Sequence, residues 1–484
     1  MDSLLLVPDG VGVRNFVLGR FLAELSQLGT AHVLHQIPSD RLPEYLPPSG
    51  GKVEWYPFSP YRETPASFTL RYSLSYAQMH WVGTKSMRYH LDKKPASGSW
   101  RTRLGDRAAR FIGSLASSPA RIKMLDRWHQ SVVDQMPAVD TWQTLFERIR
   151  PAVLFCSHQR PPIILPPVLA ARRCGIPTAT FIFSWDNMTS KGRIAAPFDH
   201  YLVWSDLMRD ELLRYYPDVG PDRIHVVGTP QFDPYADAAL HWSKEEFFAR
   251  INADVSRPLI CFSGNHVDSS PEDQEQVRIL MGFIRSGRIA GRPQVVLRPA
   301  PVDDGRRFDG VRRDFPELIY VHPGWSSELP GWDHVLPPAD DVQFLANLVR
   351  HSDLNINFGS TMSLDFAVNG KPVINSAFDV ASPPVFGMPA YDFCMQFDHY
   401  RAVEQTGASR FARTTDQLAD FVNLYLHDPE SDREGRQRLV DLEVSGPLGS
   451  STGRIIQALQ RIAHGAATTR DARSHATRPA TSRA

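Results

Sequence analysis

The sequence predicts two doubly wound α/β domains that face one another, the first carrying a helical insertion. Short apolar runs alternate with stretches of helical periodicity over residues 3–229, and the alternation restarts at 258 and continues to 375. A polar helical stretch separates the two series. Length agrees, since 484 residues with 42% hydrophobic content suit two ordinary domains rather than one. The boundary falls near 235–255, giving domains of 1–240 and 241–450, an insertion at about 60–150, a helix at 451–463 and a disordered tail at 464–484.

The chain opens with an apolar run at 3–7 (SLLLV), broken by Pro8-Asp9-Gly10. Phe16, Val17, Leu18, Phe21, Leu22, Leu25 and Leu28 follow at helical spacing, and residues 31–37 form a second strand. This is a βαβ unit whose first loop lies at a strand's carboxyl end, where such folds bind ligands. From about 60 to 150 the pattern turns helical and aromatic-rich, and residues 87–130 hold ten Lys or Arg against three Asp or Glu. Strands resume at 152–157, 178–184, 200–205 and 223–229, with helices at 166–174 and through Leu213. The second series has strands at 259–263, 294–298, 318–322, 353–358 and 372–375, and helices at 342–350 and 362–369. After a last helix at 452–462, the Ala, Thr, Arg and Ser of the tail show no apolar period.

Composition excludes several classes. With 53 Lys and Arg against 53 Asp and Glu, the formal charge is zero, which argues against a nucleic-acid binder relying on a global positive field. Cysteines 156, 174, 261 and 394 are widely spaced and three lie in apolar runs, so buried thiols in a reducing compartment are expected rather than a disulfide frame or zinc site. The start MDSLLLVPDG has no basic leader and no run of 18 apolar residues occurs, so a soluble, cytoplasmic chain is expected. The basic stretch interleaves Arg88, Lys93, Lys94, Arg101, Arg103, Arg107, Arg110, Arg121, Lys123 and Arg127 with Trp100, Phe111, Ile112, Leu115 and Trp128. That pattern suits a peripheral contact with an anionic membrane surface, at the inner face of the plasma membrane, or a lipid-diphosphate acceptor; a solvated helical face over a small core is the alternative.

The segment from Asn357 to Ile374 carries the most chemistry. A strand ends, the small hydroxyl-rich loop Gly359-Ser360-Thr361 follows, and a helix starts at once, so free N–H groups and the helix dipole converge on one spot suited to an anion. Capping of the helix by Ser360 or Thr361 is the alternative. In the first domain, Asp9, His158 and Asp186 each follow a strand and converge on one rim if strand order allows. Any of them could serve as the base a transferase needs, with Asp9, in a loop whose Gly10 and Gly12 permit close approach by a substrate, the first choice; an Asx turn is the alternative for Asp9, and a structural loop packing Trp185 into the domain interface for Asp186. No Asp-x-Asp or other metal-ligand spacing appears, since Asp303-Asp304 and Asp340-Asp341 are adjacent pairs in loops.

The stretch GSTMSLDFAVNGKPVI, with PDGVGVRNF at 8–16, FSWDNMTSKG at 183–192 and HVVGTPQFD at 225–233, resembles two-domain glycosyltransferases of the GT-B fold. The likeness is to the branch of CDP-glycerol glycerophosphotransferases and bacterial capsule or surface-polysaccharide transferases. It implies a nucleotide-activated donor on the C-terminal domain, with Gly359, Ser360 and Thr361 near its phosphates and Gly264 and Asn265 in a second loop. Arg298 then pairs with a phosphate, the acceptor is a saccharide or lipid-linked chain on the N-terminal domain, and no metal or further cofactor is called for. Relatives of this kind carry a His where this sequence has Ala300, and His322, one strand later, is the candidate substitute. Non-hydrolysing nucleotide-sugar epimerases share the fold, but their acid-Ser-Gly-Gly segment is absent; a non-catalytic assembly protein is the third reading.

Overall fold

The computed structural model describes residues 1–46, 51–58, 61–92, 100–326 and 334–476. Strands β1 (Ser3–Val7), β2 (Ala31–His35), β3 (Val53–Pro57), β4 (Val153–Cys156), β5 (Thr178–Phe181), β6 (His200–Val203) and β7 (Ile224–Val226) form one sheet in the order β3-β2-β1-β4-β5-β6-β7. Strands β8 (Leu259–Ser263), β9 (Gln294–Arg298), β10 (Ile319–Tyr320), β11 (Leu354–Asn357), β12 (Val373–Ser376) and β13 (Arg410–Ala412) form the other, in the order β10-β9-β8-β11-β12-β13. Every pairing in both sheets is parallel. Parallel strands need helical crossovers that cover both faces, which is why β1, β4 and β8 read as unbroken apolar runs.

β3 and β13 escape the sequence reading because neither shows an apolar run: Glu54 interrupts β3 and Arg410 opens β13. β3 is only half-buried and ends in Pro57, tolerable where no further strand pairs, and β13 is three residues long. The core is continuous between domains. Along β8, Leu259 and Cys261 join the cluster filling the first domain, while the alternate residues Ile260 and Phe262 face a second cluster with Leu280, Val311 and Val422.

The insertion consists of helices Pro65–Val82, Lys85–Asp92, Trp100–Leu115, Pro119–Asp134 and Pro137–Ile149 among the described residues, with a small core of its own made by Leu70, Leu74, Ala77, Ile122 and Leu125. Lys93 and Lys94 lie outside the described residues. The last helix, Ser451–Ala476, packs on the first domain, with Asp233 accepting from the N–H groups of Ser451 (3.1 Å) and Thr452 (2.8 Å). It runs beyond the expected end at 463. Ala463 is the last buried residue among those whose side chains are described, and the sequence after it shows no apolar period; alanines and arginines with high helix propensity continue a helix already nucleated. Residues 477–484 of the expected disordered tail lie outside the described residues.

The helix Asp206–Tyr215 of the first domain packs on Arg433–Glu443, which follows the second sheet. Burial and then the charge of Glu443 push the Glu211 carboxyl up to about 8, and burial pushes Glu443 up to about 8. Folded, these groups bind more protons than the unfolded chain does between about 4.5 and 8, so stability falls as pH rises through that window. Glu443→Gln, which cannot ionise, is expected to flatten this fall: thermal midpoints at pH 5 and 8 should differ less for the variant than for wild type.

Candidate active site at the interdomain cleft

The carboxyl ends of the strands of both sheets border a cleft of about 650 Å³. Its walls are the segments that follow strands. The first domain supplies Asp9 and Arg14 after β1, His158 and Arg160 after β4, and Phe183 to Asn187 with Lys191 after β5. The second supplies Ser263 to His266 after β8, Arg298 to Pro301 after β9, and Gly359 to Met362 after β11. β1 and β4 are the neighbours at which strand order reverses in the first sheet, as β8 and β11 are in the second, so both topological switch points open on the same space.

Asp9 and His158 meet because β1 and β4 are parallel neighbours with Leu6 opposite Cys156. Asp9 Oδ1 accepts from the Gly12 N–H at 2.8 Å, and Oδ2 lies 2.6 Å from His158 Nδ1. Both side chains are buried. Burial works to raise the Asp9 carboxyl, but His158 and the N–H groups of Gly12 and Val11 outweigh it and hold the group below the ordinary carboxylate range. An ionised Asp9 keeps the imidazole proton on Nδ1 and leaves a lone pair on Nε2, a buried atom without a protein hydrogen-bond partner. The Phe183 ring stacks on the imidazole with centroids 3.8 Å apart.

Gly10 and Gly12 serve protein contacts rather than substrate approach. A Cβ on Gly10 would stand 1.9 Å from the carbonyl oxygen of Val335 in the second domain, and one on Gly12 would stand 2.6 Å from Ser157 Oγ. Asp186 lines the same cleft but serves its own loop, accepting from Ser190 Oγ (2.8 Å) and Asn187 Nδ2 (3.0 Å), with Lys191 Nζ at 3.6 Å. Its burial is outweighed by Lys191, His399 and the hydroxyls of Ser184 and Ser190, which hold it far below the usual carboxylate range. His399 is pushed down to about 4 by burial and is neutral at pH 7, so Lys191 is the effective charge.

On the second domain a buried amide network holds the loops. Asn357 Oδ1 accepts from the Ser360 N–H (3.0 Å) and Asn375 Oδ1 from the Gly359 N–H (3.1 Å), while Asn357 Nδ2 donates to Asn355 Oδ1 (2.7 Å) and Asn355 Nδ2 to Ser263 Oγ (2.8 Å). Gly359 takes φ of 64°, the left-handed region that glycine permits. Ser360 Oγ accepts from the Met362 N–H at 3.3 Å, while the N-cap residue Thr361 makes no side-chain cap bond and its Oγ1 accepts from Trp185 Nε1 across the domain interface at 3.4 Å. The Gly264 N–H donates to the Arg298 carbonyl (2.9 Å) and the Asn265 N–H to Asp273 (2.7 Å). Four backbone donors expected to be open to an anion, at Gly264, Asn265, Gly359 and Ser360, are therefore engaged by protein.

Positive charge at the cleft comes instead from side chains. Arg14, Arg160, Lys191 and Arg298 line it, Arg298 also binding Asp341 through Nη2 at 2.6 Å. His322 is not among the lining residues: it is exposed, with Nδ1 accepting from the Gly324 N–H (3.1 Å) and Nε2 3.0 Å from the Asp303 carbonyl. The cleft's imidazoles are His158, His266 and His399. His399, on the helix Asp398–Gln405, meets Trp185 edge-on at 4.8 Å and has a buried, unpartnered Nδ1; no local motif announces it. Among the described residues no group of three or more His, Cys, Asp or Glu is placed to hold a metal ion.

No family model matches the chain, and no curated protein matches its sequence. Solved structures do match. A glycosyltransferase from Rickettsia africae is 9% identical with a TM-score of 0.50, over 95% of this chain and 98% of that one. A Listeria monocytogenes protein assigned as a UDP-N-acetylglucosamine 2-epimerase is 12% identical with a TM-score of 0.51, over 95% of both. Another UDP-N-acetylglucosamine 2-epimerase is 13% identical with a TM-score of 0.50, over 96% of both. These likenesses and the two parallel sheets establish a GT-B fold of two facing Rossmann-like domains.

The tight approach at Gly10 yields a stability test. Gly10→Ala must displace backbone where the domains touch and is expected to lose roughly 1–3 kcal/mol in chemical denaturation, the usual cost of overpacking. Gly282→Ala is the control. It lies within the helix Asp273–Arg285 with nothing within 4 Å of its would-be Cβ, so it should be neutral or gain up to about 1 kcal/mol.

Proposed function

We propose that this chain is a glycosyltransferase or sugar/polyol-phosphate transferase. A nucleotide-activated donor binds on the second domain, and a hydroxyl of a saccharide or lipid-linked acceptor, held on the first, attacks it. The observation that carries the reading is the buried Asp9–His158 pair at 2.6 Å, with an unpartnered Nε2, in a cleft shared by both domains. His158 is the base. It takes the acceptor proton on Nε2 as the new bond forms, while Asp9 positions the ring and balances the imidazolium. Arg14, Arg160, Lys191 and Arg298 supply the charge that a leaving nucleotide phosphate requires, so the reaction proceeds without a divalent ion.

Two finer readings follow from the resemblances. The sequence motifs favour the CDP-glycerol and surface-polysaccharide branch, which points to a cell-envelope polymer. Two of the structural neighbours are named as 2-epimerases, and an epimerase needs no acceptor. Acceptor dependence therefore separates transfer from epimerisation.

The test is a panel of CDP-, UDP-, GDP-, dTDP- and CMP-linked donors in a thermal-shift assay, followed by turnover with the donor that stabilises. Ser360→Trp, which fills the cleft, should abolish the shift while the fold stays cooperative. His158→Ala should lower kcat by about 10²- to 10⁴-fold with donor affinity kept, and Asp9→Asn should also lower kcat and move its pH profile. Activity should persist in excess chelator. No shift with any donor, or His158→Ala within about threefold of wild type, far short of a lost base, would remove the assignment, and acceptor-independent change of the donor sugar would replace transfer with epimerisation.

A further inference from the structure

A second pocket, of about 270 Å³, lies in the first domain and shares no lining residue with the cleft. One wall comes from the helices Pro65–Val82 and Pro119–Asp134, a second from the segment 193–198 with Tyr201 of β6, and a third from residues 215–219 with Arg223, just before β7. The volume, at the small end for ligand sites, suits one six-membered ring with its substituents.

The walls are built from rings and guanidinium groups. Trp81, Phe198, Tyr215 and Tyr216 give flat apolar faces. Arg193 is fixed among them: Nη2 lies 2.6 Å from Asp126, Nη1 donates to Gln78 Oε1 at 3.1 Å, and the guanidinium stands 5.2 Å from the centre of the Tyr216 ring. Positive charge is left over. The pocket's two carboxylates are paired, Asp126 with Arg193 and Asp218 with Lys123 at 2.9 Å. Arg223 donates to the carbonyls of Asp199 (2.5 Å) and Phe198 (2.7 Å), which orient its charge without neutralising it. Arg127 and Arg172 border the pocket with no hydrogen bond or ion pair among the described residues.

Tyr201 is an independent sign of a ligand. The residue is 7% exposed, yet its hydroxyl has no hydrogen-bond partner among the described residues, whereas buried polar groups are nearly always paired. Burial pushes the phenol up to about 12 against the opposing charges of Arg223 and Arg193, so it keeps its proton and has a hydrogen bond to donate. We propose that this pocket binds a sugar ring bearing an anionic group, as in a sugar phosphate or a sugar acid. Arg127, Arg172 and the Tyr201 hydroxyl hold the anion, and the C–H faces of the ring pack on the aromatic walls. Phenols and the Gln130 amide among those walls suit a hydroxylated ring better than a wholly apolar one.

The experiment is a ligand-observed NMR titration of the full chain with glucose 1-phosphate, with glucuronate and, as the uncharged control, with glucose. It is repeated in the Ser360→Trp variant, whose cleft is filled, and it needs no turnover, so it is independent of the transfer reading. Saturable binding of at least one anion, tighter than glucose and kept in Ser360→Trp, is expected, and the tighter anion identifies the charged group. Arg127→Ala with Arg172→Ala should weaken it by about tenfold or more. Tyr201→Phe, which removes a hydroxyl the fold does not use, should also weaken it by about tenfold while the thermal midpoint stays unchanged. No binding of either anion, equal binding of glucose, loss of binding in Ser360→Trp, or unchanged affinity in either pocket variant would overturn the proposal.

Discussion

Strand order is the constraint on which the site depends. β1 and β4 lie side by side at the centre of the first sheet although about 150 residues separate their loops, and only that adjacency brings a carboxylate and an imidazole to 2.6 Å. The second sheet repeats the order with β8 and β11, and its two innermost loops face the same space. Helical crossovers force every strand in a sheet to point the same way, so the chain has one functional rim per domain. The continuous apolar core then turns these rims toward each other.

Rigidity in the loops of the second domain comes at a chemical cost. Buried Asn355, Asn357 and Asn375 are tolerable only because their amides are hydrogen-bonded to one another, to loop N–H groups and to Ser263 and Ser409. The loops are thereby locked, and four of the backbone donors expected to greet a phosphate, at Gly264, Asn265, Gly359 and Ser360, are consumed. Long basic side chains reach into the cleft from both domains. Arg14, Arg160 and Lys191 come from the first domain and Arg298 from the second, so positive charge borders the cleft on both sides.

The architecture was legible because buried parallel strands advertise themselves as apolar runs, as at Leu4-Leu5-Leu6 and Ile260-Cys261-Phe262. β3, interrupted by Glu54, and β13, three residues opened by Arg410, show no such run and stayed hidden. Asp9, His158 and Asp186 were legible as residues at strand ends, yet their division of labour was not: that depends on which strands are neighbours and on where Gly12, Ser190 and Lys191 place their donors. His322, which follows a strand as a His-Pro, stands apart from the cleft because β10 is the edge of its sheet, away from the switch point. His399 gave no local signal, since only tertiary packing against Trp185 brings it to the cleft.

The Asp9–His158 arrangement also explains why a carboxylate alone would serve poorly here. Each interaction that holds Asp9 in place, the Gly12 N–H and the imidazole, favours its ionised form and so lowers its appetite for a proton. A strongly stabilised carboxylate is a weak base. An imidazole is the side chain whose ordinary titration range suits proton transfer near neutral pH, and a fixed anion on its far nitrogen favours the charged product of that transfer. In the proposed transfer Asp9 therefore acts through His158. Gly12 belongs to the same device: its N–H anchors the carboxylate, and its lack of a side chain lets Ser157, the residue before His158, pack against the turn that carries Asp9.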